Sequence, residues 1–124
     1  MRLLLDSHVV LWWSEDSPRL SPAWAGLLAE PANEIFISAA SVWEIEIKKR
    51  IGKITVATTL VDVAQNEGIT ILDITPTDAV LAGSLDWSHK DPFDRMLVAQ
   101  ALERGLTILS IDAAMRTAPG VRFL

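Results

Sequence analysis

Short apolar runs alternate with longer amphipathic segments along the whole chain. Short apolar runs bounded by turn residues predict strands at residues 2–5, 34–37, 69–72, 106–111 and 121–123, the third of which is rich in β-branched residues. Segments with apolar side chains at helical spacing predict helices at residues 7–14, 41–51, 59–67, 75–85 and 92–104, and one more that begins at residue 22. We therefore predict an α/β fold in which a mainly parallel sheet of four or five strands is covered by helices on both faces.

Capping residues indicate where several of these helices begin and end. A polar residue followed by proline, a preferred helix start, occurs at Ser21, Thr75 and Asp91. A glycine, which readily adopts the left-handed conformation that ends a helix, follows three of the segments at Gly52, Gly68 and Gly105. These signals support the alternation of strands and helices independently of the hydrophobic periodicity.

Length and composition place the chain among folded globular proteins. Its 124 residues are enough for one domain, residues 1–124, and 50% of them are hydrophobic while 22% are charged. The absence of cysteine excludes disulfides and thiolate metal sites and is typical of the cytoplasm, where we expect the protein to reside. Asp6 interrupts the apolar start too early for a secretory signal, and no apolar run approaches the roughly 18 residues that span a membrane.

Four acidic residues lie at turn points between the apolar runs. Asp6 and Asp112 each follow a predicted strand, and Glu44 and Asp94 lie in the first turns of two predicted helices. Strand carboxyl ends and helix amino ends share one edge of a parallel α/β sheet, so these carboxylates are predicted to meet in one crevice. Oxygen ligands of this kind suit Mg²⁺ or Mn²⁺. Such a cluster accounts for much of the net charge of −5, which therefore does not by itself exclude an anionic substrate.

Three of these acids also have a purely structural interpretation. Asp6 and Asp112 can each cap the helical turn that follows. Glu44 completes a capping box if its helix starts at Ser41, whereas a start at Ser38 would free it to point at the edge of the sheet. Because helix caps lie at the same edge as the predicted metal site, the pattern alone leaves both interpretations open.

The segment around Asp94 offers a similar choice. Asp91 is the expected cap of the helix that begins at Pro92, and Asp94 then lies in its first turn, where a carboxylate interacts favourably with the helix dipole. A carboxylate that only interacts with the helix dipole is not expected to have His89 and Arg95 as neighbours. We therefore interpret Asp91 as a cap and Asp94 as a metal ligand.

Four segments resemble the PIN-domain nucleases, and among them the VapC-type toxins of type II toxin–antitoxin pairs. In chain order they are LLLDSH at residues 3–8, ISAASVWEI at 37–45, HKDPFDRMLVAQ at 89–100 and LTILSID at 106–112. They follow one another in the order expected for that family and together span nearly the whole chain. The third segment, in which an acidic turn opens an apolar helix, is the most specific of the four.

The resemblance implies a three-layer α/β/α domain with a central, mainly parallel sheet and the activity of a Mg²⁺- or Mn²⁺-dependent endoribonuclease. By motif position, Asp6, Glu44, Asp94 and Asp112 take the family's acidic, metal-binding and catalytic roles. Many members have Asn or Thr shortly after the first acid, where this chain has Ser7 and His8. Ser7 and Ser110 are expected to support the acids or hold a water, and Arg95 and His89 are candidates for substrate contacts. The structural alternatives are a salt bridge from Arg95 to Asp91 or Asp94, and a solvated or acid-bound His89.

The resemblance also implies a cognate antitoxin as partner and a homodimer. Of the five tryptophans, Trp12 and Trp13 are adjacent and are not expected to face one core together, so we predict that one of them contacts a partner. Together with Trp43 and Ile47 they form the predicted antitoxin groove. The only basic cluster, Lys48, Lys49, Arg50 and Lys53, is interpreted as the positive end of a helix, with an RNA-guiding rim as the alternative.

Three other classes of protein remain as alternatives. A phospho-acceptor receiver domain needs a second acid beside Asp6 and a lysine near Asp112, and the chain has neither. A haloacid-dehalogenase-like phosphatase needs an aspartate at position 8, which is His8. A catalytically silent PIN-like domain that only binds a partner is the third, and the presence of all four acids argues against it.

Overall fold

The computed structural model describes residues 1–124 and contains five strands and six α-helices. The strands are β1 Arg2–Leu5, β2 Glu34–Ser38, β3 Thr70–Leu72, β4 Thr107–Leu109 and β5 Arg122–Phe123. The helices are α1 Ser7–Ser14, α2 Pro22–Ala29, α3 Ala39–Arg50, α4 Leu60–Glu67, α5 Pro76–Ser84 and α6 Pro92–Arg104, with a 3₁₀ turn at Met115–Thr117. None of the helices combines the length and hydrophobicity needed to cross a membrane.

The strands form one fully parallel sheet in the order β3-β2-β1-β4-β5. Strand β1 lies at its centre, with Leu4 paired to Phe36 of β2 on one side and to Ile108 of β4 on the other. The chain winds outward from β1 in both directions, which leaves a crevice beyond the carboxyl ends of β1 and β4. The predicted parallel α/β sheet is confirmed, and this crevice is the place where such sheets bind ligands.

Two apolar cores lie on opposite faces of the sheet, as successive side chains along β1 require. Leu3 and Leu5 join a core of 15 buried residues with side chains from α1, α3 and α4. Leu4 joins a core of 8 buried residues with Leu97 and Val98 of α6. Because helices α1, α3 and α4 cover one face while α6 covers the other, the predicted three-layer α/β/α arrangement is confirmed.

Two element boundaries differ from the predicted ones by two residues. Helix α3 begins at Ala39, because Ser38 has an extended backbone and its Oγ accepts the Ala40 N–H at 3.0 Å. Ser41 is buried inside the helix and its Oγ has no hydrogen-bond partner, so the capping box of Ser41 with Glu44 does not form. Strand β4 ends at Leu109, two residues earlier than predicted, since the chain leaves the sheet at Ser110.

The prediction that Trp12 and Trp13 cannot share a core is also wrong. Both are partly buried and pack against the 15-residue core. Adjacent helical positions diverge by about 100°, but an indole is large enough to reach a core from the flank of a helix. Trp43 differs from them, because 62% of its surface is exposed.

Candidate active site

Asp6 lies at the carboxyl end of β1 and is the centre of the candidate site. Its backbone N–H donates to Leu109 O at 3.0 Å, which holds β1 against β4 at this edge. The carboxylate accepts from the His8 N–H at 3.5 Å and the Ser7 Oγ at 3.3 Å on Oδ1, and from the Ser110 Oγ at 2.7 Å on Oδ2. Asp6 therefore caps α1 and also faces the crevice with a buried carboxylate.

Glu44 reaches the same crevice because Ser38, and not Ser41, is the cap of α3. The Ser7 Oγ lies 3.0 Å from Glu44 Oε1, so one buried hydroxyl lies between the carboxylates of Glu44 and Asp6. A hydroxyl carries a single proton, which can serve only one of the two acids at a time. On its other side, Glu44 Oε2 lies 3.3 Å from Lys48 Nζ. The hypothesis that the earlier helix start frees Glu44 is confirmed by these contacts.

Asp94 lies in the first turn of α6, where Asp91 is the helix cap as predicted. Asp91 Oδ1 accepts from the Phe93 N–H at 2.9 Å and the Asp94 N–H at 3.1 Å. The Asp94 carboxylate is therefore free to turn away from the cap, and its Oδ2 lies 2.6 Å from His89 Nε2.

The pKa of Asp94 is raised to about 6, from 3.8 for an ordinary aspartate. Burial is the main cause, and the charges of Asp91 and Asp6 add to it, while the contact with His89 acts in the opposite direction. The repulsion from Asp6 indicates that Asp94 is electrostatically coupled to the crevice. A carboxylate whose pKa is raised by burial and by a neighbouring carboxylate is typical of a functional site.

Asp112 is exposed and caps the turn that follows β4, as its structural interpretation predicted. Its Oδ1 accepts from the Ala114 N–H at 2.9 Å, and its own N–H donates to the Ser110 Oγ at 3.1 Å. Ser110 is fully buried and donates its proton to Asp6. Ser110 thus links the Asp6 carboxylate to the backbone N–H of Asp112, whereas Ser7 lies between the carboxylates of Asp6 and Glu44.

Arg95 does not form the predicted salt bridge with Asp91 or Asp94. Its guanidinium donates five hydrogen bonds to backbone carbonyls, at distances of 2.8–3.4 Å, and the acceptors are Ala82, Gly83, Leu85, Trp87 and His89. A guanidinium has five N–H donors, so none remains for a substrate phosphate. The predicted contact of Arg95 with the substrate is therefore wrong as well. Arg95 instead holds the end of α5 and the following loop against α6.

The donor set of these acids fits a hard divalent cation in its chemistry. Asp6, Glu44, Asp94 and Asp112 offer only carboxylate oxygens, which Mg²⁺ and Mn²⁺ prefer over sulfur or nitrogen ligands. No three acidic or histidine side chains converge closely enough to form a ready-made metal site. The carboxylates of Asp6, Glu44 and Asp94 instead contact Ser7, Ser110, Lys48 and His89. Binding of an ion would therefore replace some of these contacts.

A cavity of about 310 Å³ opens beside Asp6 and Asp112. Its other lining residues are His8, Val9, Trp12, Arg19 and Ile111. Sequence analysis missed Arg19 and Ile111, since a single arginine in a loop and an apolar residue at a strand end belong to no recognisable motif.

Two large aromatic side chains lie next to the acids on α3 and α6. The rings of Trp43 and Phe93 meet edge to face with centroids 5.2 Å apart. Trp43 precedes Glu44 and remains largely exposed, while Ile47, one turn later, is half-buried. Of the residues of the predicted partner groove, Trp43 therefore offers the most accessible apolar surface, whereas Trp12 and Trp13 pack on the core.

Two of the four basic residues at the end of α3, Lys48 and Lys49, pair with acids of the same helix. Lys48 pairs with Glu44, and Lys49 pairs with Glu46 at 3.0 Å and also donates to Thr58 O at 3.1 Å. These contacts support the interpretation of the cluster as the positive end of a helix.

Comparison with known proteins agrees with this architecture. The family model of the PIN domain matches residues 3–121. The chain is 35% identical over 118 residues to Ribonuclease VapC22 of Mycobacterium tuberculosis, covering 93% of this chain and 90% of that protein. The fold is similar to chains of VapBC2 from Rickettsia felis bound to a promoter DNA fragment, with a TM-score of 0.67, 13% identity and coverage of 100% and 98%. FitAcB from Neisseria gonorrhoeae gives a TM-score of 0.64 at 18% identity, with coverage of 98% and 96%. The chain belongs to the PIN-domain family and, within it, to the VapC-type group.

Proposed function

We propose that this protein is a metal-dependent endoribonuclease and the toxin of a type II toxin–antitoxin pair. The observation that carries the proposal is the buried Ser7 hydroxyl between the carboxylates of Asp6 and Glu44, at 3.3 and 3.0 Å, with the buried Ser110 hydroxyl at 2.7 Å on the other oxygen of Asp6. The similarity to a protein named a ribonuclease supports the same activity.

Asp6 and Asp94 are the proposed direct ligands of Mg²⁺ or Mn²⁺, and Asp112 completes the set or holds a second ion. When bound, the ion supplies a water of lowered pKa and neutralises charge that develops on the phosphate. Glu44 orients the attacking water or accepts its proton, with Ser7 fixing the position of the carboxylate. Ser110 holds Asp6 in place through its 2.7 Å hydrogen bond. Attack by water on the phosphodiester leaves a 5′-phosphate and a 3′-hydroxyl.

The proposed partner is a small antitoxin that covers the surface around Trp43 and blocks the crevice. Several structures of similar fold are described as toxin–antitoxin complexes, including one from Klebsiella pneumoniae. An exposed tryptophan beside the acids is the kind of anchor that a protein partner buries. The toxin itself is proposed to form a homodimer, and a short neighbouring gene for a DNA-binding protein would identify the antitoxin.

The test is cleavage of total cellular RNA by the antitoxin-free protein with Mg²⁺ or Mn²⁺. We expect cleavage by the wild type, its loss in EDTA and its loss in Asp94→Asn. Asp86→Asn is the matched control, because Asp86 is an exposed loop residue outside the acid cluster. Absence of cleavage under every condition would contradict the proposal and favour the catalytically silent PIN-like domain.

A further inference from the structure

The cavity beside Asp6 has two chemically different sides. The carboxylates of Asp6 and Asp112 lie on the side of the acid cluster, while Trp12 and Ile111 contribute apolar surface and Val9 is a fully buried part of the lining. His8 and Arg19 complete the lining. We call this cavity the Arg19 crevice.

Arg19 is a free cation in this crevice. Its guanidinium forms no hydrogen bond and no ion pair within 4.0 Å, although two carboxylates line the same cavity. Arg95 and Arg104, by contrast, have their guanidinium groups engaged by carbonyls or by Asp78. A guanidinium left unpaired beside the acid cluster is available for a planar anionic group, and phosphate is the group it matches best.

The apolar side of the crevice is exposed in a way that favours a flat ligand. Ile111 has 63% of its surface exposed although it lies directly between Ser110 and Asp112. The rings of Trp12 and His8 lie with centroids 6.3 Å apart, tilted by 34°, along the other wall. Aromatic side chains beside a cation are the usual platform for an unstacked base of single-stranded nucleic acid.

The size of the crevice limits what it can hold. About 310 Å³ is near the lower end of the range for small-molecule sites, which suits a single nucleotide. One nucleotide also carries both properties that the walls require, an aromatic face and a negative charge.

We propose that the Arg19 crevice binds one nucleotide of the substrate, with its base against Trp12 and Ile111 and its phosphate on Arg19. The inference rests on the proposed function, since it places this nucleotide next to the phosphodiester held at Asp6. Arg19 then contributes to substrate affinity and leaves the hydrolytic chemistry to the acids. We expect Arg19→Gln to raise KM at least about tenfold while kcat changes little.

The direct test is a titration with the four ribonucleoside 5′-monophosphates in EDTA, which prevents turnover. The readout is the indole N–H resonance of Trp12, assigned by its loss in Trp12→Phe. We expect a saturable shift in the wild type and an affinity at least about tenfold weaker in Arg19→Gln. Arg122→Gln is the matched control, because Arg122 is exposed and lies at the amino end of β5, at the edge of the sheet opposite the acids.

Equal affinities of the wild type and Arg19→Gln would overturn the inference. A second result would also overturn it: no nucleotide shifts the Trp12 indole resonance at millimolar concentration, but the antitoxin of the neighbouring gene shifts it. The crevice would then be a protein-binding surface. Because binding is measured without turnover, a protein that binds nucleotides through Arg19 but never cleaves RNA would refute the proposed function and still support the crevice.

Discussion

His89 Nε2 lies 2.6 Å from Asp94 Oδ2, although the two residues belong to different elements, a loop and the first turn of α6. The contact exists because Arg95, one residue after Asp94, donates to the carbonyl of His89 at 3.0 Å. A single short segment thus carries an acid, the histidine that contacts it and the arginine that holds the histidine's loop. The arrangement leaves the Asp94 carboxylate largely buried, and burial together with the charges of Asp91 and Asp6 raises its pKa.

Replacing Arg95 should reduce activity more than its effect on stability explains. Arg95→Lys replaces five hydrogen bonds with at most three from an ammonium, so we expect the loop to shift and kcat to fall roughly 10–100-fold. The measurement is kcat on a fixed RNA substrate at a temperature where the variant remains folded.

The control for this loop is Arg104→Lys on the same helix. Arg104 is also held by hydrogen bonds, but to Asp78 and the Gln100 carbonyl at the end of α6 away from the acids. We expect the Arg104→Lys variant to be less stable than the wild type and to retain its kcat. An equal loss of kcat in both variants would mean that Arg95 acts only through general stability.

Asp94 should destabilise the metal-free protein at neutral pH. The folded protein retains the Asp94 proton up to pH about 6, whereas the unfolded chain loses it near 3.8, so stability falls as pH rises through this range. Asp94→Asn removes this ionisation and is expected to gain about 2–3 kcal/mol at pH 7 in EDTA. Urea denaturation at pH 4.5 and 7 measures the effect, with Asp86→Asn as control. A stability gain that is independent of pH would contradict the raised pKa.

Asp78 should contribute stability of the opposite pH dependence. The hydrogen bond from Arg104 holds its pKa at about 2, below the ordinary 3.8, so the ionised form is favoured in the folded state. This stabilisation is fully present above about pH 4 and is lost as pH falls towards 2. Asp78→Asn should therefore cost roughly 2–4 kcal/mol at pH 7 and much less at pH 2. Chemical denaturation across this range tests the prediction, and an unchanged cost at pH 2 would refute it.

Trp43→Ala should weaken the antitoxin complex without harming the toxin. Trp43 is 62% exposed and contacts Phe93 on one side only, so its removal leaves the core intact. We expect a loss of affinity of about 2 kcal/mol or more if the antitoxin buries the indole. Calorimetric titration with the antitoxin measures it, and Val80→Ala, an exposed apolar residue on α5, is the control. An unchanged affinity would place the antitoxin elsewhere.

Sequence analysis predicted most of the fold because the signals were local. The leucines of β1 are followed at once by Asp6, and a strand buried on both faces ends where a polar residue appears. The start of α3 was harder to predict, because Ser38 and Ser41 are equally good caps. Pairing of Ser38 with Leu72 extends β2 to that residue, and this tertiary contact decides between the two serines.

The role of Arg95 could not be predicted for a different reason. Its five acceptors are backbone carbonyls, which every residue has, so no side-chain pattern marks them. The same limit applies to Arg19, whose significance depends on a cavity formed by α1, a loop and the end of β4. The acids were predictable because their chemistry is carried by side chains placed at element ends.

The most direct test of the central claim, hydrolysis by a carboxylate-held metal ion, is the chemistry of the cut ends. An RNA cleaved by the wild type in Mn²⁺ should carry 5′-phosphate and 3′-hydroxyl ends, read by ligation and phosphatase sensitivity, and Asp6→Asn should produce none. Ends with a 2′,3′-cyclic phosphate and a 5′-hydroxyl, or cleavage that persists in EDTA, would contradict the claim.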